Sequence, residues 1–216
     1  MATDPSPRWR RRKEARPQEI TAAALELFAE RGFAASRLDD VAARAGISKG
    51  TLYLYFPNKE ELFKAVVRDA VVATIDEAER LAGSFSGGSF ELLEMVVRRL
   101  AGRIVGTRAG VIPKLILAEA GNFPELARFY HDEVARRGFA TVAAVLRRGI
   151  ERGEFRPVDA RAMVPVIIGP LLLASLWKST FEPVAAEPLD LAALLDTHLD
   201  HLRRSLAADA PKGGPP

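Results

Sequence analysis

The 216-residue sequence contains no cysteine. That excludes disulfides, thiolate metal sites and a cysteine nucleophile, and it fits a reducing cytoplasm. Histidine is scarce, with three residues in all. His198 and His201 stand three apart on a helical stretch, and His131 precedes Asp132 and Glu133, but there is no HExxH pattern. Without thiolates or that spacing, no metal and no cofactor are expected. GxSxG, P-loop and GxGxxG motifs are missing, and the acidic residues are scattered, so no enzyme is expected. No uninterrupted apolar run reaches the ~18 residues that cross a bilayer. The nearest, Ala162 to Trp177, is interrupted by Pro165 and Pro170. No apolar run follows the N-terminal arginines, so no signal peptide is expected. These absences point to a soluble cytoplasmic protein with no membrane partner.

What is present is a large apolar fraction, 48% of residues against 27% charged, enough for a packed core. The formal net charge of +3 is unevenly placed. Outside residues 1–60, basic and acidic residues balance at 20 each, so the whole excess lies within the first 60. It concentrates in Arg8, Arg10, Arg11, Arg12, Lys13 and Arg16, opposed locally only by Glu14. A block of this kind suits a polyanion, either nucleic acid or an anionic surface. Residues 1–15, with Pro5 and Pro7, read as a disordered basic arm, and the tail from Asp209, rich in glycine and proline, reads as disordered too.

Between them the periodicity is helical throughout, giving an all-α fold. Pro17 suits the first turn of a helix, which carries Ile20, Ala23, Ala24, Leu27 and Phe28 on one face and stops at Gly32. Ser36 followed by Asp39 resembles a capping box. Leu38, Val41, Ala42 and Ala45 line a second, short helix that ends at Gly46. Ser48 caps a third that ends near Tyr55 and Phe56. Asn58 caps a long helix from Lys59 to about Leu81. After a Gly/Ser-rich connection, Gly83 to Ser89, helices are expected at Phe90–Val105, Val111–Ala120, Pro124–Arg152, Asp159–Lys178 and Leu189–Ala208. Pro165 and Pro170 should kink the penultimate one.

Two short helices around a tight glycine turn make a helix-turn-helix, whose second helix enters the major groove. Its first turn, Ser48-Lys49-Gly50-Thr51, offers unpaired N–H groups and partial positive charge for phosphate. Gly50 lets the backbone come close. Lys49 and Thr51 can reach base edges or thymine methyls. Tyr53 and Tyr55 carry hydroxyls for phosphates, and Lys59 begins the long helix. Leu52 and Phe56, four apart, should face inward.

The stretch "ITAAALELFAERGFAASRLDDVAARAGISKGTLYLYFPNKEELF" resembles the DNA-binding domain of the tetracycline-repressor (TetR/AcrR) family. The resemblance implies a three-helix domain at residues 16–62, then a helical ligand-binding and dimerisation domain at 63–208. It implies DNA-facing residues at Ser36, Arg37, Ser48, Lys49, Gly50, Thr51, Tyr53, Tyr55 and Lys59, with Arg10, Arg11 and Arg12 of the arm added in some members. Tyr55 stands where members often have histidine. The C-terminal half is less sharply similar, through "FPELARFYHDEV" and "RGIERGEFRPVDA". The implied activity is that of a homodimer on an inverted-repeat operator in double-stranded DNA, most commonly a repressor, released by a small molecule. The composition suggests a largely apolar effector. Activation, or ligand-independent regulation on the same fold, is the alternative; a membrane-surface or enzymatic role stands further off. Met95, Ile116, Phe129, Tyr130, Phe139 and Trp177 are the candidates to line a ligand cavity, and can equally be core; Arg103, Glu119 and Arg128 are candidates for its polar contacts, and can equally be surface ion pairs. Leu172, Leu176, Leu195, Leu199 and Leu202, on the last two helices, are the candidates for the dimer interface, or for the core.

Overall fold

A computed structural model describes residues 7–208, with side chains described from Pro17 onward. Eleven α-helices make up the described chain, with no strand beyond a single bridge between Phe155 and Ala207. The all-α expectation holds. The first helix, α1 (Pro7–Ala35), begins earlier than expected. The backbone of residues 7–15, read from sequence as an arm, continues that helix, and Pro17 lies inside it rather than in its first turn. The side chains of Arg10, Arg11 and Arg12 lie outside the described residues, as do residues 1–6 and 209–216 in full. Gly32 does break the helix, with φ 79° and ψ 170°. That left-handed φ is one glycine adopts without the Cβ clash other residues meet.

Two short helices follow, α2 (Leu38–Arg44) and α3 (Lys49–Tyr55). Gly46, at φ 66°, makes the turn between them. Then α4 (Lys59–Val67) and α5 (Ala73–Ser84) are joined through a π turn at Arg68–Val72, so one helical rod runs from Lys59 to Ser84. Asn58 caps it as expected, its Oδ1 accepting from the Glu61 N–H at 2.7 Å. After a four-residue loop come α6 (Ser89–Ile104), α7 (Val111–Glu119) and α8 (Pro124–Tyr130). A second π turn, His131–Ala135, runs straight into α9 (Arg136–Glu151). The last helices are α10 (Ala160–Thr180) and α11 (Leu191–Leu206), capped by Asp159 and Asp190.

Helix α10 corrects one expectation. Its prolines do not shorten it, and at 21 residues it is long and apolar enough to cross a membrane by length and composition alone. Here it packs against α6, α7, α9 and α11. His198 of α11 donates from Nε2 to the Ile167 carbonyl at 3.0 Å, in the stretch between the two prolines. This is the polar contact expected of a histidine between packed helices.

Two apolar cores carry the fold. One is built by α6, α9, α10 and α11 around Leu93, Val97, Leu146 and Ile167. Leu195, Leu199 and Leu202 belong to it, exposed at 7%, 4% and 0%. Of the two places open to them, dimer interface or core, they take the core. The other core starts in the head, with Ile20, Phe28, Leu52 and Phe63, and continues without a break to Ile112, Leu115 and Leu126. Apolar packing therefore crosses residue 62. Phe33 sits at the junction, with ring centroids 5.2 Å from Phe63 and 4.9 Å from Phe123. Such tilted and edge-on pairs are favoured by the ring quadrupoles.

Candidate nucleic-acid interface and effector cavity

Helix α3 is seated by one residue. Leu52 is fully buried, and Phe56 just beyond the helix is 8% exposed. Burying a leucine is worth about 1.5–3 kcal/mol, enough to fix which face of a two-turn helix looks out. The Ser48 hydroxyl accepts from the Thr51 N–H at 3.1 Å and lies 2.9 Å from the Thr51 hydroxyl. Those two groups cap the helix and partly occupy each other. The outward face carries Lys49, Gly50 and Tyr53, as expected, and also Leu54, which is 85% exposed. Leu54 was missed by the sequence reading, where polar chemistry drew attention. Its signal was positional: it stands four residues after Gly50, on the same face, and two after Leu52, which puts it about 200° around the helix from the anchor. An exposed leucine there matches a thymine methyl.

Arg37 is exposed at the N-cap position of α2. Other expected contacts are turned differently. Ser36 is 2% exposed, and its hydroxyl donates to the Gly32 carbonyl at 2.6 Å. It closes the break after α1 and does not cap α2, so it is removed from the DNA-facing set. Tyr55 is half-buried against the head core. The Lys59 ammonium donates to the carbonyls of Phe33 (2.8 Å) and Ala34 (3.0 Å) and sits 4.4 Å from the Phe33 ring centre. It closes the end of α1, and desolvation pulls its pKa below the ordinary lysine value. At most its remaining N–H is available to a phosphate. Lys49 is bound as well: its Nζ donates to Asp39 Oδ2 at 2.5 Å, which raises its pKa. Both partners are well exposed, so this pair can open to a phosphate or base.

The rod from Lys59 to Ser84 joins the head to an apolar cavity of about 140 Å³. Both π turns line it, through Val71 on one side and Val134 and Ala135 on the other. A π turn inserts an extra residue into a helix and is frequently found at functional sites. Of the apolar and aromatic ligand candidates, Tyr130 and Phe139 line the cavity. Ile116 and Phe129 pack on the head core instead, and Met95 and Trp177 are surface residues, exposed at 39% and 41%. Leu172, expected at an interface, is a cavity wall residue. Leu176 is half-buried. Arg103, expected as a polar contact, is also a wall residue, whereas Glu119 and Arg128 are not; what sequence missed are Val71, Val134 and Ala135, which come from separate helices with no shared periodicity.

Residues 20–66 match the bacterial regulatory proteins of the tetR family, and residues 91–195 match the tetracyclin repressor-like C-terminal domain.

This protein is a member of the TetR family.

The two matches cover the helix-turn-helix head and the helices around the cavity. An HTH-type transcriptional regulator of Bacillus subtilis, YdeS, is 30% identical over 77% of this chain and 81% of its own length. The fatty acid metabolism regulator protein of Bacillus subtilis is 26% identical over 73% of this chain and 81% of its own. The solved structure of the ketosteroid transcriptional regulator KstR2 of Mycobacterium tuberculosis superposes with a TM-score of 0.69 at 25% identity, covering 90% of this chain and 96% of that one. As a TetR-family transcriptional regulator, the protein uses α2 and α3 as its DNA-binding helix-turn-helix, and the helices beyond them form the ligand-responsive domain.

Proposed function

We propose that this TetR-family regulator is a cytoplasmic repressor. It acts as a homodimer that binds an inverted-repeat operator and lets go when a largely apolar small molecule enters the cavity between the two π turns. The observation that carries the reading is mechanical continuity: the rod that begins beside α3 at Lys59 is the same rod whose Val71, Thr74 and Ile75 line the cavity. A ligand that prefers one setting of that rod changes the placement of α3, and its leverage is its difference in affinity between the two settings. Relatives named for fatty acid metabolism and for ketosteroid regulation support an apolar effector.

The dimer is supported by an apolar stripe on α10 and just past its end. Val166, Leu173, Trp177 and Phe181 are exposed at 51%, 63%, 41% and 51%. Large apolar side chains recurring at helical spacing on a surface mark an interaction face. The leucines of α11 named from sequence are therefore replaced by this stripe. Two-fold symmetry would set the two α3 helices in successive major grooves about 34–36 Å apart.

The test is selection of binding sites from a random duplex pool with the purified protein at moderate salt. Enrichment of a palindrome with half-sites one helical turn apart is the expected result. Purely salt-sensitive binding with no enriched sequence would refute operator reading. Leu173→Arg should give a monomer by sedimentation that no longer selects a palindrome.

A further inference from the structure

The cavity wall has one charged residue among those described, Arg103, on the last turn of α6. No carboxylate lies within ion-pair distance of it among the described residues, although most arginines around it are paired: Arg98, Arg99, Arg108 and Arg137 all hold acids. Arg103 instead donates to backbone, from Nε to the Ala70 carbonyl at 2.5 Å and from a terminal nitrogen to the Asp69 carbonyl at 3.3 Å. Both carbonyls belong to the Arg68–Val72 π turn. The same Asp69 accepts on its carboxylate from Thr21 of α1 at 2.7 Å, and Thr21 is buried in the head. A guanidinium on an apolar wall thus holds the irregular turn of the rod, and that turn is tied to the first helix of the head.

The other polar wall residues suit an anion. Thr74 is neutral, and burial pushes the Tyr130 phenol up to about 12, so it is neutral too. Arg103 also borders two surface clefts, one containing Gln18, Thr21 and Asp69, the other Glu77 and Arg99. Its side chain thus stands where cavity, rod and surface meet, with the guanidinium on the rod's backbone.

We propose that Arg103 is the recognition and relay residue of this cavity: it binds the anionic end of an otherwise apolar small molecule, and in doing so releases the Asp69 and Ala70 carbonyls and loosens the link through Asp69 and Thr21 to the DNA-binding head. The proposal rests on the cavity being the effector site. Exchange of carbonyls for a carboxylate is favourable because an ion–dipole contact is replaced by one between two full opposite charges, with the planar fork matched to both carboxylate oxygens. The ligand thereby binds the released state more tightly than the held one, which is what an effector must do.

The experiment uses the full chain with octanoate and 1-octanol, equal in chain length and different in charge. By calorimetry, octanoate should bind about tenfold more tightly than octanol, the difference between a charged and a neutral hydrogen bond. Arg103→Met should erase that preference, and Arg103→Lys should retain part of it. On a duplex that the protein selects, octanoate should weaken DNA binding by the wild type. In Thr21→Val, octanoate should bind as before and no longer weaken DNA binding. Failure of octanoate to bind, equal binding of acid and alcohol by the wild type, or a preference that survives in Arg103→Met overturns the recognition role. An undiminished effect of octanoate on DNA binding in Thr21→Val overturns the relay. If the wild type selects no duplex, operator reading fails, while the calorimetric comparison still decides for or against Arg103. Should Arg103→Met lose its helical circular dichroism, the Arg103→Lys preference and the Thr21→Val coupling decide.

Discussion

Replacing Asp39 by asparagine should tighten DNA binding. In the free protein the Lys49 ammonium is held by the Asp39 carboxylate at 2.5 Å, on the outward side of the helix-turn-helix. The side chains are exposed at 66% and 45%, so solvent screens the pair. An exposed pair of this kind holds only weakly. Lys49 must leave it to meet a phosphate or a base, so each head gives up that small contribution on binding DNA. In the proposed dimer two heads act, so the gain counts twice and stays on the order of tenfold in affinity. Removal of a negative charge close to phosphates adds in the same direction. Fold stability should change little, because the pair contributes little to it. The assay is fluorescence anisotropy on a selected duplex, run over a salt series for wild type, Asp39→Asn, Lys49→Met and the double variant. Lys49→Met should weaken binding and lower the salt slope by about 2 per dimer, one lost phosphate contact per head. The double variant should behave as Lys49→Met with little further gain. A loss of affinity in Asp39→Asn with unchanged stability would refute the reasoning. It would mean that Asp39 positions Lys49 on DNA instead of competing for it.

Other consequences are as direct. Leu54→Ala should leave the melting temperature unchanged, because the side chain is 85% exposed. It should relax base preference at one position of each half-site, visible on repeating the selection. Leu52→Ala should destabilise the protein by about 2–5 kcal/mol through a core cavity, and should abolish DNA binding before bulk helicity is lost. Glu154 accepts from the buried Ser89 N–H at 2.5 Å and is paired with Arg152, which together hold its pKa at about 2, below the ordinary 4.5. A depressed carboxylate stabilises the fold above the unfolded-state pKa and loses that contribution as pH falls through the folded one. Stability should therefore decline from about pH 4.5 toward pH 2, and Glu154→Gln should flatten that part of the denaturation curve. A variant curve parallel to the wild type across this window would assign the acid loss to other groups.

Much of this protein is legible in one dimension because its signals are short-range. Ser48 and Asn58 announce helix starts because each side-chain oxygen reaches an N–H three residues on. Gly32 and Gly46 announce stops because a positive φ is a local matter. The alternation of apolar and polar residues on a 3.6-residue period set out every helix from Lys59 to Leu206. The head motif carried the DNA-facing helix with it. What sequence could not settle is which neighbour each face meets. Ser36 looks like a cap until the break at Gly32 offers it a nearer acceptor. Lys59 looks like a phosphate contact until the end of α1 presents two bare carbonyls. Leu195, Leu199 and Leu202 form an apolar stripe suited to either a partner or a core, and only the placement of α6 and α10 decides for the core. The π turns leave no mark on the periodicity, since a one-residue insertion shifts the helical phase by about 100° and neighbouring side chains absorb it. The cavity gathers Val71, Arg103, Tyr130 and Phe139 from separate helices. It came from the packing of those helices, a long-range property that no local window contains.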